Sequence, residues 1–180
     1  MEHCHPKFNY WTLHGLWPDK GLACNSSWAF NSSLIQDIME DMKKSWPDLL
    51  HPSSTGFWKY EWQKHGTCAA VAPDLDSQHK YFSKALELYH KIDLSSVLKK
   101  FNITPSEEFY KVMFLIISRV SQGNGAQSLG QIEICFDSDF TLLDCGKETV
   151  GVGLRVGKGR AGASEFRVCD QDKPVYYPPL

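Results

Sequence analysis

The chain has 180 residues, 42% hydrophobic and 22% charged, with a formal net charge of −2. That length builds one domain with a real core and is short for two. The near-neutral charge excludes a global basic field for gathering polyanions, so a nucleic acid would have to be met in a local cleft, and no apolar run approaches the roughly 18 residues that span a bilayer.

In chain order, "NYWTLHG" (9–15) reads as a strand entering a glycine turn. "SSLIQDIMEDMKKSW" (32–46) sets Leu34, Ile35, Ile38, Met42 and Trp46 on one helical stripe, with Ser as N-cap and Pro47 as the stop. "FWKYEWQKHG" (57–66) predicts a short helix ended by Gly66, and "SQHKYFSKALELYHKIDL" (77–94) an amphipathic one. "TPSEEFYKVMFLIISRV" (104–120) begins with Thr104 as N-cap, Pro105 at the first helical position and Glu107 two residues on, a capping-box pattern that predicts a further helix.

After about residue 122 the texture changes. "GQIEICF" and "FTLLDC" read as strands around the turn "DSD". "GKETVGVGLRVGKGRAGAS" (146–164) is glycine-rich but lacks the spacing of a phosphate loop, and reads as a flexible loop. "EFRVC" (165–169) predicts a last strand and "PVYYPPL" an extended tail. No repeat is evident. Helices first and strands late predict an α+β domain occupying the whole chain.

Six cysteines, at 4, 24, 68, 135, 145 and 169, form no C-x-x-C pair, which removes zinc-ribbon and thioredoxin readings. Three N-x-[ST] sequons start at Asn25, Asn31 and Asn102. Together these features point to the secretory pathway, although the start "MEHCHPKFNY" carries no signal-peptide stretch. The "HCH" at 3–5 could hold a metal, but a frayed terminus is the simpler reading and no metal site is assigned. His51, His79 and His90 read as surface residues.

Two stretches carry chemistry. In "FWKYEWQKHGTC" (57–68) a helix would place Glu61 and His65 on one face, with Lys64 beside them and Tyr60 four residues before Lys64. Alone, this is either an ordinary surface pairing or a site walled by aromatic rings. "YWTLHGLWPD" (10–19) also sets a His among rings: His14 precedes Gly15 and has Trp17 three residues on. Two such His-Gly pairs beside Trp imply a pair of imidazoles facing one cleft. Two His, a Glu and a Lys suit general acid–base catalysis near or below neutral pH. Metal-free RNA cleavage asks for that set: one group to take the 2′-OH proton, one to protonate the departing 5′-oxygen, and a cation for the phosphoryl oxygens. Nearby Trp and Tyr would stack splayed bases.

"WTLHGLWPD" and "FWKYEWQKHGTC" resemble, at nearly every position, the two active-site segments of the ribonuclease T2 family. The likeness runs from about residue 4 to 122, resumes at "GQIEIC" and ends at "RVCDQDKPVYYPP". It implies an antiparallel sheet flanked by helices, and a monomeric endoribonuclease that cleaves single-stranded RNA through a 2′,3′-cyclic phosphate without a metal or other cofactor. It further implies a secreted or lysosomal glycoprotein that does not engage the membrane. Carried over, His65 is the general base and His14 the general acid, Glu61 and Lys64 bind and polarise the phosphate, and Trp17 and Asp19 form part of a base pocket. Cys24–Cys68 and Cys135–Cys145 are the implied disulfides.

The chain also departs from the family pattern. Tyr60 stands where the motif has a further phosphate-holding His; its hydroxyl can orient a phosphate but supplies no charge. The usual N-terminal strand and part of the segment near 120–130 are expected to be missing. Cys4 and Cys169 would then be free thiols or paired with each other. The alternative reading is a shortened, catalytically weak or inactive form that binds RNA.

Overall fold

The computed structural model describes residues 8–51, 54–110, 118–123, 126–145, 151–157, 167–168 and 173–178. Its first strand, β1 (Thr12–Pro18), is followed by a 3-10 segment (Ser32–Ile38), α1 (Met39–Ser45) and α2 (Gly56–Glu61). A single π turn (Trp62–Gly66) leads into α3 (Thr67–Ala69), and a 3-10 turn (Pro73–Leu75) into α4 (Gln78–Lys91) and α5 (Leu94–Lys100). The strands β2 (Phe109–Tyr110), β3 (Ser118–Gly123), β4 (Ala126–Asp137), β5 (Leu142–Leu143), β6 (Gly151–Gly157), β7 (Arg167–Val168) and β8 (Val175–Tyr176) complete the chain. The helices precede most of the strands, as the α+β reading expects.

The sheet runs β1-β6-β4-β3-β7, every neighbour antiparallel. β5 folds back on β4 through the expected turn, where the Asp137 carboxylate accepts from the Asp139 and Thr141 amides at 2.9 and 2.8 Å. One pair departs from the antiparallel expectation: β8, in the segment read as an extended tail, lies parallel to β4.

Two further expectations fail for physical reasons. The segment 146–164, read as a loop, supplies β6, the strand bonded to β1 on one side and β4 on the other. Val152, Leu154 and Val156 alternate with Gly151, Gly153, Arg155 and Gly157, a strand period masked by glycine's poor strand propensity. The helix predicted from Thr104 does not form over 104–110. There the Tyr110 hydroxyl donates to the Thr104 carbonyl at 2.6 Å and accepts from its amide, bending the chain before β2 pairs with β8. Residues 111–117 lie outside the described ones, and 118–120 belong to β3. The aromatic and β-branched content of this stretch suits strand as well as helix, and pairing decides.

The helical stripe over 32–46 also breaks. Asn31, rather than a Ser, caps it by accepting from the Ser33 amide at 3.0 Å, and Ile35 leaves helical geometry at φ −130°. Ile35, Met42 and Trp46 still reach the core, while Leu34 is left exposed. α1 stops before Trp46 and Pro47 as predicted. α4 forms with Ser77 as its cap and buries Tyr81, Phe82, Ala85, Leu86 and Leu88. On its polar side His79 pairs with Asp37 at 2.7 Å and His90 with Asp41 at 2.8 Å, so both are surface residues tying α4 to the 32–45 segment.

Among the described strands β1 lies at the sheet's edge, and an unpaired edge needs cover. Three side chains from the helical layer supply it. Tyr89 donates its hydroxyl to the Trp11 carbonyl at 2.6 Å, Trp46 its indole N–H to the His14 carbonyl at 2.8 Å, and Tyr81 its hydroxyl to the Leu16 carbonyl at 2.8 Å. Burial is the main cause that raises both phenols: Tyr89 is pushed to about 12, with Tyr10 and Asp41 adding to it, and Tyr81 goes well above its ordinary value, with the Glu61 charge adding to it. Both therefore remain donors throughout the acid and neutral range.

The sign of the linkage follows. A phenol whose folded value is raised contributes stability that is complete below the ordinary value of 10.0 and is lost as pH climbs toward about 12. Urea unfolding at pH 9 and pH 11 should show that loss, and Tyr89→Phe should flatten it while costing about 1–2 kcal/mol at pH 7. An unchanged pH 9-to-11 difference in the variant would refute the assignment.

Candidate active site

The first motif owes its shape to a bulge. Leu13 pairs with Val156 and Gly15 with Arg155, so His14 is the extra residue between two consecutive partners on β6. A bulge of this kind re-aims the side chain at the kink. It also explains the spacing of "LHGL": Leu13 and Leu16, three apart, oppose Val156 and Leu154 and share the buried face. Thr12, Gly15 and Trp17 lie in the rows of the opposite face, together with Gln131, Glu133 and Cys135 of β4.

The second motif is helical throughout and does not stop at Gly66, whose φ and ψ are −60° and −40°. A Cβ at Gly66 would stand 2.3 Å from the Trp62 ring, so glycine is required for close approach rather than as a terminator. The π turn widens the helix over Trp62–Gly66, a local distortion frequent at functional sites. Its end is tied to the loop after β1 by the Cys24–Cys68 disulfide and by the Ala23 amide donating to the Lys64 carbonyl at 2.9 Å. The second implied disulfide, Cys135–Cys145, also forms and closes the β4–β5 hairpin. Closing the 44-residue separation of the first bridge restricts the unfolded chain by about 4 kcal/mol in the loop-entropy account.

The two motifs meet at Trp17. Its ring stacks on His65 with centroids 4.5 Å apart and planes 14° from parallel, and it meets His14 edge-on at 5.1 Å. Its indole N–H donates to Glu61 Oε2 at 2.7 Å. Glu61 is fully buried and His65 is 4% exposed, while His14 and Lys64 are partly open. Gly15 makes this approach possible: a Cβ there would lie 2.2 Å from Trp17 Nε1 and 2.4 Å from Glu61 Oε2. On its other side His14 packs against Phe57 at 5.8 Å, and its Nδ1 bonds Gln131 Oε1 at 2.9 Å.

His14, Glu61 and His65 are thus gathered around Trp17. Lys64 donates to the Tyr60 hydroxyl and also rides over the Tyr60 ring at 4.9 Å. Asp19 is exposed just past the end of β1. The expectation that the helix's rings wall a cleft is not met by Phe57, Trp58 and Trp62, which are core residues at 7%, 3% and 0% exposed; Phe57 alone of the three touches His14. Gln131 was not singled out by the sequence, although the alternation of Gln131, Glu133 and Cys135 against Ile132, Ile134 and Phe136 marks a polar strand face. Asn25, Asn31 and Asn102 are all exposed. Cys4, Cys169 and the "HCH" stretch lie outside the described residues. Among the described residues no group of His, Cys, Asp and Glu could hold a metal, and no helix is long and apolar enough to cross a membrane.

Two imidazoles on either side of one indole, with an ammonium on the residue before one of them, can take a proton, give a proton and steady an anion. Comparison with known proteins agrees. The model of the ribonuclease T2 family matches residues 1–145. Zebrafish ribonuclease T2 is 51% identical over 204 aligned positions, covering 100% of this chain and 82% of that protein. The crystal structure of human RNase T2 superposes with a TM-score of 0.81 at 40% identity, covering 98% of this chain and 88% of that one. RNase NT, solved in complex with 5′-AMP, gives a TM-score of 0.67 at 28% identity, covering 94% and 83%. The chain belongs to the ribonuclease T2 family. It is an endoribonuclease.

Gly15→Ala should separate Trp17 from Glu61, since neither contact leaves room for a methyl group. A fall of at least about 100-fold in RNA cleavage is expected, with a stability cost of about 1–3 kcal/mol. Cleavage rates and urea unfolding on the same preparation check it; wild-type activity would show that the indole–carboxylate contact is dispensable.

Proposed function

We propose that this endoribonuclease cleaves single-stranded RNA by metal-independent transphosphorylation, with His65 as general base and His14 as general acid. His65 takes the proton of a ribose 2′-OH, and the 2′-oxygen attacks the adjacent phosphorus. Lys64 supplies positive charge to the phosphate as the phosphorus becomes five-coordinate. Glu61, expected from the resemblance to bind the phosphate too, is fully buried and accepts from the Trp17 indole, so its part is to hold that ring between the imidazoles. His14 then protonates the departing 5′-oxygen, leaving a 2′,3′-cyclic phosphate and a free 5′-hydroxyl. Trp17 and Asp19 contribute to base binding, and Tyr60 orients the phosphate through its hydroxyl.

The observation that carries this reading is the placement of both imidazoles against Trp17, 5.1 and 4.5 Å from its ring, with Lys64 preceding one of them. That RNase NT was solved with a nucleotide supports a nucleotide-binding role for the same fold. The two disulfides support an oxidising compartment, secreted or lysosomal. Asn25, Asn31 and Asn102 are glycan acceptors in this reading, and the enzyme acts as a monomer.

The test is incubation with single-stranded RNA in EDTA at about pH 5 and pH 7, with the product ends identified. Cyclic-phosphate ends that survive EDTA and vanish in His14→Ala and His65→Ala are expected. Cleavage abolished by EDTA would overturn the mechanism, and RNA binding without cleavage would favour the weakly active form.

Tyr60 sets a further expectation. Imidazole has an ordinary pKa near 6.5, so Tyr60→His places a second cation beside Lys64 at pH 5 and a neutral ring by pH 7.5. kcat/KM should rise about three- to tenfold at pH 5, with the gain shrinking toward pH 7.5. No gain at pH 5 would show that the hydroxyl already meets the need of this position.

A further inference from the structure

The first motif's histidine has a partner that neither motif contains. His14 Nδ1 lies 2.9 Å from Gln131 Oε1, and Gln131 is 3% exposed, in the middle of β4. The amide is oriented from its far side: Gln131 Nε2 donates to Glu133 Oε1 at 3.4 Å. A carboxylate only accepts, so the NH2 end must face Glu133 and the carbonyl end must face the ring. A carbonyl also only accepts, so the proton between Gln131 and His14 sits on Nδ1.

The backbone makes this reach possible. β6 runs between β1 and β4, so a side chain on β4 must cross it to meet β1. The β6 residue opposite both Gln131 and Thr12 is Gly157, which carries no side chain. The bulge then turns His14 out of the regular row toward the crossing amide.

Resting on the reaction proposed above, we infer that Gln131 is a positioning residue for His14: its amide oxygen fixes the imidazole as the Nδ1–H tautomer and aims Nε2 at the scissile phosphate. Glu133 acts through Gln131 by holding the amide the right way round. Among the described residues, Glu61 and His65 face this ring from across Trp17. Gln131 therefore interposes a neutral acceptor between the ring and the Glu133 carboxylate. A neutral acceptor orients an imidazole without placing an anion on it, and an anion there would hold back the proton that a general acid must release.

Three preparations test it: the wild type, Gln131→Met, which keeps length and removes the acceptor, and Gln131→Glu, which keeps an acceptor and adds charge. Each is measured for kcat and KM of cyclic-phosphate formation from pH 4 to 8, with 15N NMR of the His14 ring reporting the tautomer. Gln131→Met should lower kcat roughly 10- to 100-fold with KM within about twofold, and its NMR should show mixed tautomers. Gln131→Glu should retain the Nδ1–H tautomer and move the basic limb of the kcat profile upward by about one pH unit. Wild-type kcat, profile and tautomer in Gln131→Met would overturn the inference. If that variant fails to fold, an unshifted profile in Gln131→Glu overturns it instead. Full activity in His14→Ala would sink the reaction scheme, whereas an inert Gln131 beside an essential His14 would sink only the positioning role; the tautomer separates the two without reference to turnover.

Discussion

The geometry of the site depends on one extra residue in an edge strand. At His14, β1 carries a residue that has no partner of its own on β6, and the strand bends there. A bulge leaves backbone groups outside the ladder, and such groups need partners when water is excluded. The His14 carbonyl is met by the Trp46 indole, and the flanking Leu16 and Trp11 carbonyls by Tyr81 and Tyr89. The helical layer therefore covers an exposed edge and holds the kink at the same time. Without that clamp, β1 could regularise its register, and a one-residue slip would exchange its core and site faces.

The second motif is anchored with the same economy of space. Gly15 and Gly66 each follow a histidine, and each lies where a methyl group would strike an indole. The His-Gly pairs are thus contact requirements: the backbone must come close enough for Trp17 to reach Glu61 and for Trp62 to pack on its own helix. The Cys24–Cys68 bridge and the Ala23–Lys64 backbone bond fasten the π turn to the loop leaving β1. Both motifs are therefore held by short contacts with little slack, which is what the proposed proton transfers between two imidazoles and the substrate would demand.

The meeting of the two motifs at Trp17 was largely legible in the sequence because the candidate residues are concentrated in two short runs. His14, Glu61, Lys64 and His65 lie within segments whose residue types and spacing already imply acid–base work. What was hidden depends on pairing. β6 was lost to its glycines, yet those glycines fall in the rows of the site face, and Gly157 leaves the path across which Gln131 reaches His14. The stretch after Thr104 carries a sound capping pattern, but Tyr110 and the β2–β8 pairing take the chain another way. A local cap contributes only about 1 kcal/mol, and tertiary pairing outweighs it. Gln131 was invisible for a related reason: a lone glutamine gains meaning only once register sets it opposite a bulge two strands away.

The abundance of aromatic residues has a different explanation from the one the motifs suggest. Indole N–H groups reach acceptors that include irregular backbone: Trp46 donates to the His14 carbonyl, Trp58 to the Trp46 carbonyl, Trp62 to the Trp28 carbonyl and Trp17 to the Glu61 carboxylate. Three of those acceptors are backbone carbonyls at a bulge, a helix end and a turn, where regular structure provides no donor. Indole suits the task because it buries a large apolar surface and brings one donor to a site that water cannot reach. The rings of "FWKYEWQKHGTC" thus divide by depth. Trp58 and Trp62 hold irregular backbone inside the core, Phe57 faces His14, and exposed Tyr60 engages Lys64. The segment's packing and its contacts to the first motif thus belong to one distorted helix: Glu61 and His65 are buried against Trp17, while Lys64 is partly open beside Tyr60.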